Sequence, residues 1–245
     1  MANILVIQHG KAQLPGRLGL TLRDHGFRLD VRKVALPPEQ GGKPLPPDLD
    51  NVHGIVSLGG PQNVDEPHPW MEQEKELIRA AHERQLPVIG ICLGQQLIAQ
   101  ALGGEVARME TPEVGFHDLS LTFAGQTETI LAGIPWESPQ FFSHGYAVTK
   151  APPEAAVLAK TALSPNAVFR VGLRTFGFGH HFEADRPIAE AIAGDAPELM
   201  QRAGVGRDEL ARQLDAHYEM FARTGDRLCV NIASWVFPYV ELLAV

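Results

Sequence analysis

Over the first hundred positions, short uninterrupted apolar runs alternate with amphipathic stretches. Ile4-Leu5-Val6-Ile7, Gly54-Ile55-Val56-Ser57-Leu58 and Pro87-Val88-Ile89-Gly90-Ile91 carry no charge and are bounded by Gly, Pro or polar residues. That is the pattern of strands buried on both faces. Between them, residues 16–25 and 69–85 read as helices, the second with Trp70, Met71, Leu77, Ile78 and Ala81 spaced for one face. A short helix over 95–102, closed by Gly103-Gly104, follows the third strand. The alternation predicts an α/β fold with a mostly parallel central sheet and helices on both faces.

The pattern changes in the second half. Runs at 117–122, 146–149, 156–159 and 167–171 are short and separated by turn-forming residues, which predicts a small antiparallel layer. From Pro187 onward helical spacing returns, amphipathic over 207–223 and expected to be more uniformly buried over 228–235. The expected organisation is a single domain over 1–245, with 187–245 as a helical C-terminal extension whose apolar end packs across the sheet or, as the alternative, forms a subunit contact. The Pro-rich segment 37–47 reads as the one floppy loop.

Composition narrows the function classes. Of 245 residues, 44% are apolar and 20% charged, and 21 basic against 29 acidic residues give a net charge of −8. A folded globular chain follows, without the basic footprint expected of a nucleic-acid or anionic-membrane partner. The most apolar stretch, 228–240, contains Asn231 and Pro238 and falls short of the roughly 20 residues that span a bilayer. The opening Met1-Ala2-Asn3 lacks a basic signal-peptide flank, so the first apolar run is expected to be a strand. Two cysteines, Cys92 and Cys229, are too few for a disulfide framework and predict a reducing, cytoplasmic setting.

The sharpest chemical signal is Gly90-Ile91-Cys92-Leu93-Gly94, which stands between an apolar strand and a helix. Small residues on either side let the chain turn sharply and expose one side chain above the sheet, the nucleophile-elbow arrangement with sulfur in place of oxygen. The helix N-terminus then offers free N–H groups, that of Leu93 in particular, to an oxyanion. A buried structural cysteine between packing glycines is the alternative. A nucleophile needs a base and the base an orienting group. Gly179-His180-His181-Phe182-Glu183 offers both, because residues two apart on an extended chain share a face and His181 can meet Glu183. The same residues also read as a solvated turn or part of a metal site, although no second ligand cluster at suitable spacing accompanies them.

The order Leu58-Gly59-Gly60-Pro61 with Asn63-Val64-Asp65-Glu66, then 87–96 through Gly104, then Ser143-His144-Gly145, then His181-Phe182-Glu183, resembles the class I glutamine amidotransferases with a Cys-His-Glu triad. Within them it is similar to the amidotransferase domain of GMP synthase. The resemblance implies a flavodoxin-like architecture, with Cys92 as nucleophile, His181 as base and Glu183 as its partner. It makes the Gly60 and Leu93 N–H groups the oxyanion hole, and Gln96, Ser143, His144, Gly145 and Tyr146 the contacts of bound glutamine. Two positions depart from the family pattern. His180 and His181 both stand where one histidine is usual, and spacing to Glu183 selects His181. Tyr146 occupies a place where the GMP synthase domain usually carries Asp.

The implied activity is hydrolysis of the side-chain amide of L-glutamine through a γ-glutamyl thioester, with no cofactor and no metal. No Gly-x-x-x-x-Gly-Lys-[Ser/Thr] loop and no Gly-x-Gly-x-x-Gly after a strand is present, so an ammonia acceptor is expected from a separate synthetase subunit. A hydrolase acting on other γ-glutamyl compounds with the same triad is the alternative, and a silent binding module a further one.

Overall fold

A computed structural model describes residues 1–238. Nine strands form one mixed sheet in the order β2-β1-β3-β4-β9-β8-β7-β5-β6. Its first five members, β2 (Arg28–Lys33), β1 (Asn3–Gln8), β3 (Ile55–Ser57), β4 (Val88–Ile91) and β9 (Thr175–Phe178), are mutually parallel. The antiparallel strands β8 (Val168–Val171), β7 (Ala156–Lys160), β5 (Glu105–Leu121) and β6 (Glu137–Lys150) extend the same sheet beyond β9.

The apolar runs become the central strands because they are covered on both faces. Ile4, Val6, Val56, Ile89 and Ile91 belong to one buried cluster, whereas Leu5, Ile7, Ile55 and Val88 belong to another. Helices α2 (Pro69–Glu83) and α3 (Leu93–Ala101) pack on the second cluster through Met71, Leu77, Ile78, Ala81, Leu97 and Ile98. Helix α1 (Gly16–Asp24) and the long α7 (Arg207–Asn231) cover the first, through Leu18, Leu22, Leu228 and Cys229. A short α4 (Phe123–Gln126) follows β5, and α5 (Arg186–Gly194) and α6 (Pro197–Ala203) precede α7.

Some expectations shift. Helix α3 begins at Leu93, two residues before the predicted start, directly after Cys92. Beyond α7 a turn of π-helix, Ile232–Val236, buries Ile232, Ala233 and Val236, yet Val230 is 43% and Trp235 62% exposed, so 228–235 is amphipathic rather than uniformly buried. The part of the apolar tail beyond 238 lies outside the described residues. Segment 37–47 is irregular but anchored: it holds a 3₁₀ turn at Pro38–Gln40, Arg32 donates to the Pro44 carbonyl (2.9 Å), and Lys43 pairs with Asp30 (2.8 Å). Among the described residues no helix is long and apolar enough to cross a membrane.

Candidate active site

In an open sheet of this kind, clefts form where the parallel strands end. Here the C-terminal ends of β1, β3, β4 and β9 deliver His9, the 58–60 turn, Cys92 and the 180–183 turn to one place. A cavity of about 630 Å³ opens there.

Cys92 is the residue between β4 and α3, and its backbone is bent to φ +52°, ψ −108°. A non-glycine residue at such a positive φ is strained by about 1–3 kcal/mol and persists only where its surroundings impose it. They do: the Cys92 N–H donates to the Phe178 carbonyl at 2.8 Å, and the Gly94 N–H to the Leu58 carbonyl at 3.1 Å. Gly94 has no alternative, since a Cβ there would lie 2.1 Å from the Ser57 carbonyl oxygen. The result is a cysteine that is 4% exposed yet lines the cavity, its thiol 3.7 Å from the Ser143 carbonyl oxygen.

His181 reaches the same cavity from beyond β9, and its Nδ1 stands 2.8 Å from Glu183 Oε1, with both side chains buried. The pair does not lie along an extended strand. Residues 182–183 form a turn closed by the Ala184 N–H donating to the His181 carbonyl (3.1 Å), and this turn brings the carboxylate back to the ring. Among the described residues, His181 Nε2 has no aligned hydrogen-bond partner, and Cys92 and His181 converge over Gly59. A Cβ on Gly59 would sit 2.7 Å from His181 Cε1 and 3.4 Å from Cys92 Cβ. Burial opposes protonation of His181, but the Glu183 carboxylate and the adjacent Cys92 sulfur outweigh it and push its pKa up to about 10.

The neighbouring His180 is separated from this arrangement. Its ring packs among Phe142, Phe178 and Phe182, it does not line the cavity, and burial together with the adjacent His181 holds its pKa down at about 3. Of the two histidines, the structure therefore brings His181 to Glu183 and the cavity and leaves His180 in an apolar cage.

The remaining sequence candidates all line the cavity: Gly60, Leu93, Gln96, Ser143, His144, Gly145 and Tyr146. Among the described residues, neither the Gly60 nor the Leu93 N–H donates to a protein acceptor. Gln96 Nε2 donates to the Tyr146 carbonyl (2.9 Å), and Tyr146 Oη donates to Asp65 Oδ2 across the rim (2.7 Å). The imidazole of His144 is committed elsewhere, with Nδ1 2.8 Å from the Tyr146 carbonyl and Nε2 2.8 Å from Glu113 Oε2. Glu113 also accepts from Thr161 and Ser164; burial raises its pKa, but His144 first, then Ser164 and Thr161, outweigh burial and hold it below the usual carboxylate range.

Several participants were not read from the sequence. Gln13 and Gln62 line the cavity, each with a buried amide oxygen that lacks a protein donor, the signature of a polar group awaiting a ligand or water. Asp195, Glu198 and Arg202, on and just before α6, also line the cavity, as does Arg108. Behind it, His9 Nε2 meets Glu74 Oε2 at 2.8 Å, both fully buried. One signal was legible: Glu74 occupies the buried stripe of α2 with Met71, Leu77 and Ile78. Among the described residues, no group of three His, Cys, Asp or Glu side chains could hold a metal ion.

A family model, glutamine amidotransferase class-I, matches residues 18–187. The chain belongs to the class I glutamine amidotransferases. A glutamine amidotransferase-like protein of Salmonella typhimurium is 32% identical to it over 208 residues, 82% of this chain and 78% of that protein. A glutamine-hydrolysing GMP synthase of Aeropyrum pernix is 37% identical over 135 residues, 55% of this chain but 25% of that enzyme. The amidotransferase-like chain thus spans about a quarter of the GMP synthase it matches. A glutamine amidotransferase from Thermotoga maritima has the same fold, with TM-score 0.79 at 20% identity over 96% of this chain and 98% of that one.

Proposed function

We propose that this class I amidotransferase chain hydrolyses the side-chain amide of L-glutamine, with Cys92 as nucleophile, His181 as base and acid, and Glu183 as the group that orients it. The observation that carries the reading is the buried His181–Glu183 contact at 2.8 Å, on an imidazole that lines the same cavity as Cys92 and approaches it over Gly59.

The proton shared between Cys92 and His181 rests on the imidazole, as its raised pKa favours, and the sulfur forms a bond to the amide carbon as the carbonyl π electrons move onto oxygen. The N–H groups of Gly60 and Leu93 receive that oxyanion; one such donor is worth about 10²- to 10³-fold in rate. Collapse breaks the C–N bond while His181 gives its proton to the departing nitrogen, releasing ammonia and leaving a γ-glutamyl thioester. Water then loses a proton to His181 and attacks the thioester carbon. The C–S bond breaks and glutamate leaves. Glu183 keeps one ring orientation throughout. Transfer of the ammonia to an acceptor would require a separate synthetase subunit.

A second reading keeps the triad but enlarges the substrate. The cavity of about 630 Å³ exceeds the needs of a free amino acid, and its lining also carries Arg108, Asp195, Glu198 and Arg202. This lining suits a γ-glutamyl amide with a polar substituent on its nitrogen. Steady-state release of glutamate from glutamine and from a panel of γ-glutamyl amides tests both. Ammonia release from glutamine that disappears in Cys92→Ala supports the first, and preference for a substituted amide supports the second. Undiminished turnover in Cys92→Ala removes the thioester from either.

A further inference from the structure

His9 and Glu74 lie behind the cavity wall, both wholly buried, and the mechanism above does not use them. Their contacts are directed at the 58–60 turn. His9 Nδ1 lies 3.0 Å from the Leu58 carbonyl and 3.2 Å from the Gly59 carbonyl, while Nε2 lies 2.8 Å from Glu74 Oε2. Ser57 Oγ donates to Glu74 Oε1 at 2.6 Å, and Trp70 stacks on the imidazole at 4.8 Å. Both ring nitrogens face acceptors, so both donate when the ring is an imidazolium paired with the Glu74 carboxylate. Burial disfavours that charge, but Glu74 and the two carbonyls outweigh burial and raise the pKa of His9.

The consequence follows from peptide geometry. The Gly59 carbonyl and the Gly60 N–H belong to one planar trans unit and point in opposite directions, and the described residues include no cis bond. A carbonyl turned to His9 therefore turns the Gly60 N–H away from His9, toward the cavity that Gly60 lines. A peptide between two glycines has little steric preference for either orientation and needs an external latch. The Leu58 carbonyl, shared between His9 and the Gly94 N–H of the elbow helix, ties the same latch to Cys92's own turn.

We propose that His9, held by Glu74, is a positioning residue that aims the Gly60 N–H at the oxyanion of the reaction. The proposal rests on the glutaminase reading, and its test separates the two. In His9→Gln the longer side chain reaches the Nε2 position and keeps a partner for Glu74 but withdraws the donor from the Leu58 and Gly59 carbonyls. The double variant His9→Asn/Glu74→Gln does the reverse, placing an amide N–H where Nδ1 stood and leaving no buried unpaired charge.

Four quantities are measured on the full chain: kcat and KM for glutamine, the rate of Cys92 alkylation by iodoacetamide, and the orientation of the 59–60 peptide in a crystal structure of each variant. Alkylation develops no oxyanion. His9→Gln is expected to lose about 10²-fold in kcat, the scale of one oxyanion donor. Its KM and alkylation rate stay near wild type and its 59–60 peptide is turned, whereas the double variant recovers most of the kcat. Wild-type kcat in His9→Gln, parallel loss of turnover and alkylation, or an unmoved peptide overturns the proposal. If His9→Gln does not fold, Glu74→Gln, which keeps an oxygen for Nε2 but removes the charge, is expected to give a smaller loss confined to kcat, and unchanged kcat there overturns it equally. A wild-type chain inactive on glutamine and on γ-glutamyl amides defeats the glutaminase reading instead, and the peptide orientation alone then decides the latch.

Discussion

Tyr146 and Asp65 join the two sides of the cavity mouth: the phenol on β6 donates to the carboxylate in the turn after β3 at 2.7 Å. Tyr146 stands where the resemblance to GMP synthase leads one to expect an acidic residue, and the hydrogen bond places an acidic group beside it all the same. A charge-assisted hydrogen bond from a substrate ammonium to Asp65 is worth about 1.5–3 kcal/mol. Asp65→Asn is therefore expected to raise KM for glutamine by about tenfold or more with little change in kcat, read from initial rates. Tyr146→Phe, which frees but does not remove the carboxylate, should give a smaller increase of the same kind. A fall in kcat at constant KM would show that Asp65 acts elsewhere.

The adjacent histidines make opposite contributions to stability as pH changes. His180 is held at about 3, so from the ordinary histidine value near 6.5 down to about 3 the unfolded chain binds a proton the folded chain refuses. Stability falls as pH drops through that window. His181 is raised to about 10, so its contribution is fully present below about 6.5 and lost as pH rises toward 10. Together they lower the melting temperature on both the acid and the alkaline side of the ordinary histidine range, read from thermal unfolding at a series of pH values. His180→Leu should flatten the acid side while retaining turnover, and Glu183→Gln should flatten the alkaline side while losing it.

Gly59 is where the side chains of Cys92 and His181 approach each other. A methyl group there would lie 2.7 Å from His181 Cε1 and 3.4 Å from Cys92 Cβ, so Gly59→Ala must displace the imidazole or the turn. Overpacking of this kind costs about 1–3 kcal/mol. Misplacing a reacting group by an ångström costs about 10²-fold in rate. The expected outcome is a folded variant with a modestly lowered melting temperature and about 10²-fold lower kcat. A variant with wild-type kcat would mean that His181 and Cys92 meet elsewhere.

How much of this was legible in the sequence depends on range. Ile4-Leu5-Val6-Ile7 and the runs at 54–58 and 87–91 announce β1, β3 and β4 because strands covered on both faces contain no polar interruption. Strand β2, Arg28–Lys33, is at the sheet edge and carries four charged residues in six, so no apolar run marks it. Strand β5 runs 17 residues, but its outer half, including Arg108 and Glu110, is polar, and only the end near 117–122 stood out. Glu113 sits in that unread length. Strand β9 is only four residues and supplies the turn that carries His180 and His181.

Site residues followed the same rule. Cys92 was visible because the elbow is local, written in five consecutive residues. The pairings His9–Glu74 and His144–Glu113 span 65 and 31 positions and exist only once the sheet is assembled. The His181–Glu183 contact was legible by spacing, although a turn rather than an extended strand makes it.

Glu183 is wholly buried, with Oε1 on His181 and Oε2 without a donor among the described residues. Glu183→Gln keeps the shape but removes the charge that raises His181. It is expected to lower kcat by several orders of magnitude, comparable to the about 10⁴-fold loss when a triad carboxylate becomes an amide. Unchanged kcat across pH 6–9 would remove Glu183 from the catalytic group.

The most direct test is to trap the intermediate. The chain is mixed with glutamine, quenched in acid during turnover and mapped by mass spectrometry. The account predicts a γ-glutamyl adduct on the peptide containing Cys92, none on that containing Cys229, and none in Cys92→Ala. Turnover without an adduct on Cys92, or an adduct on a different residue, would contradict it.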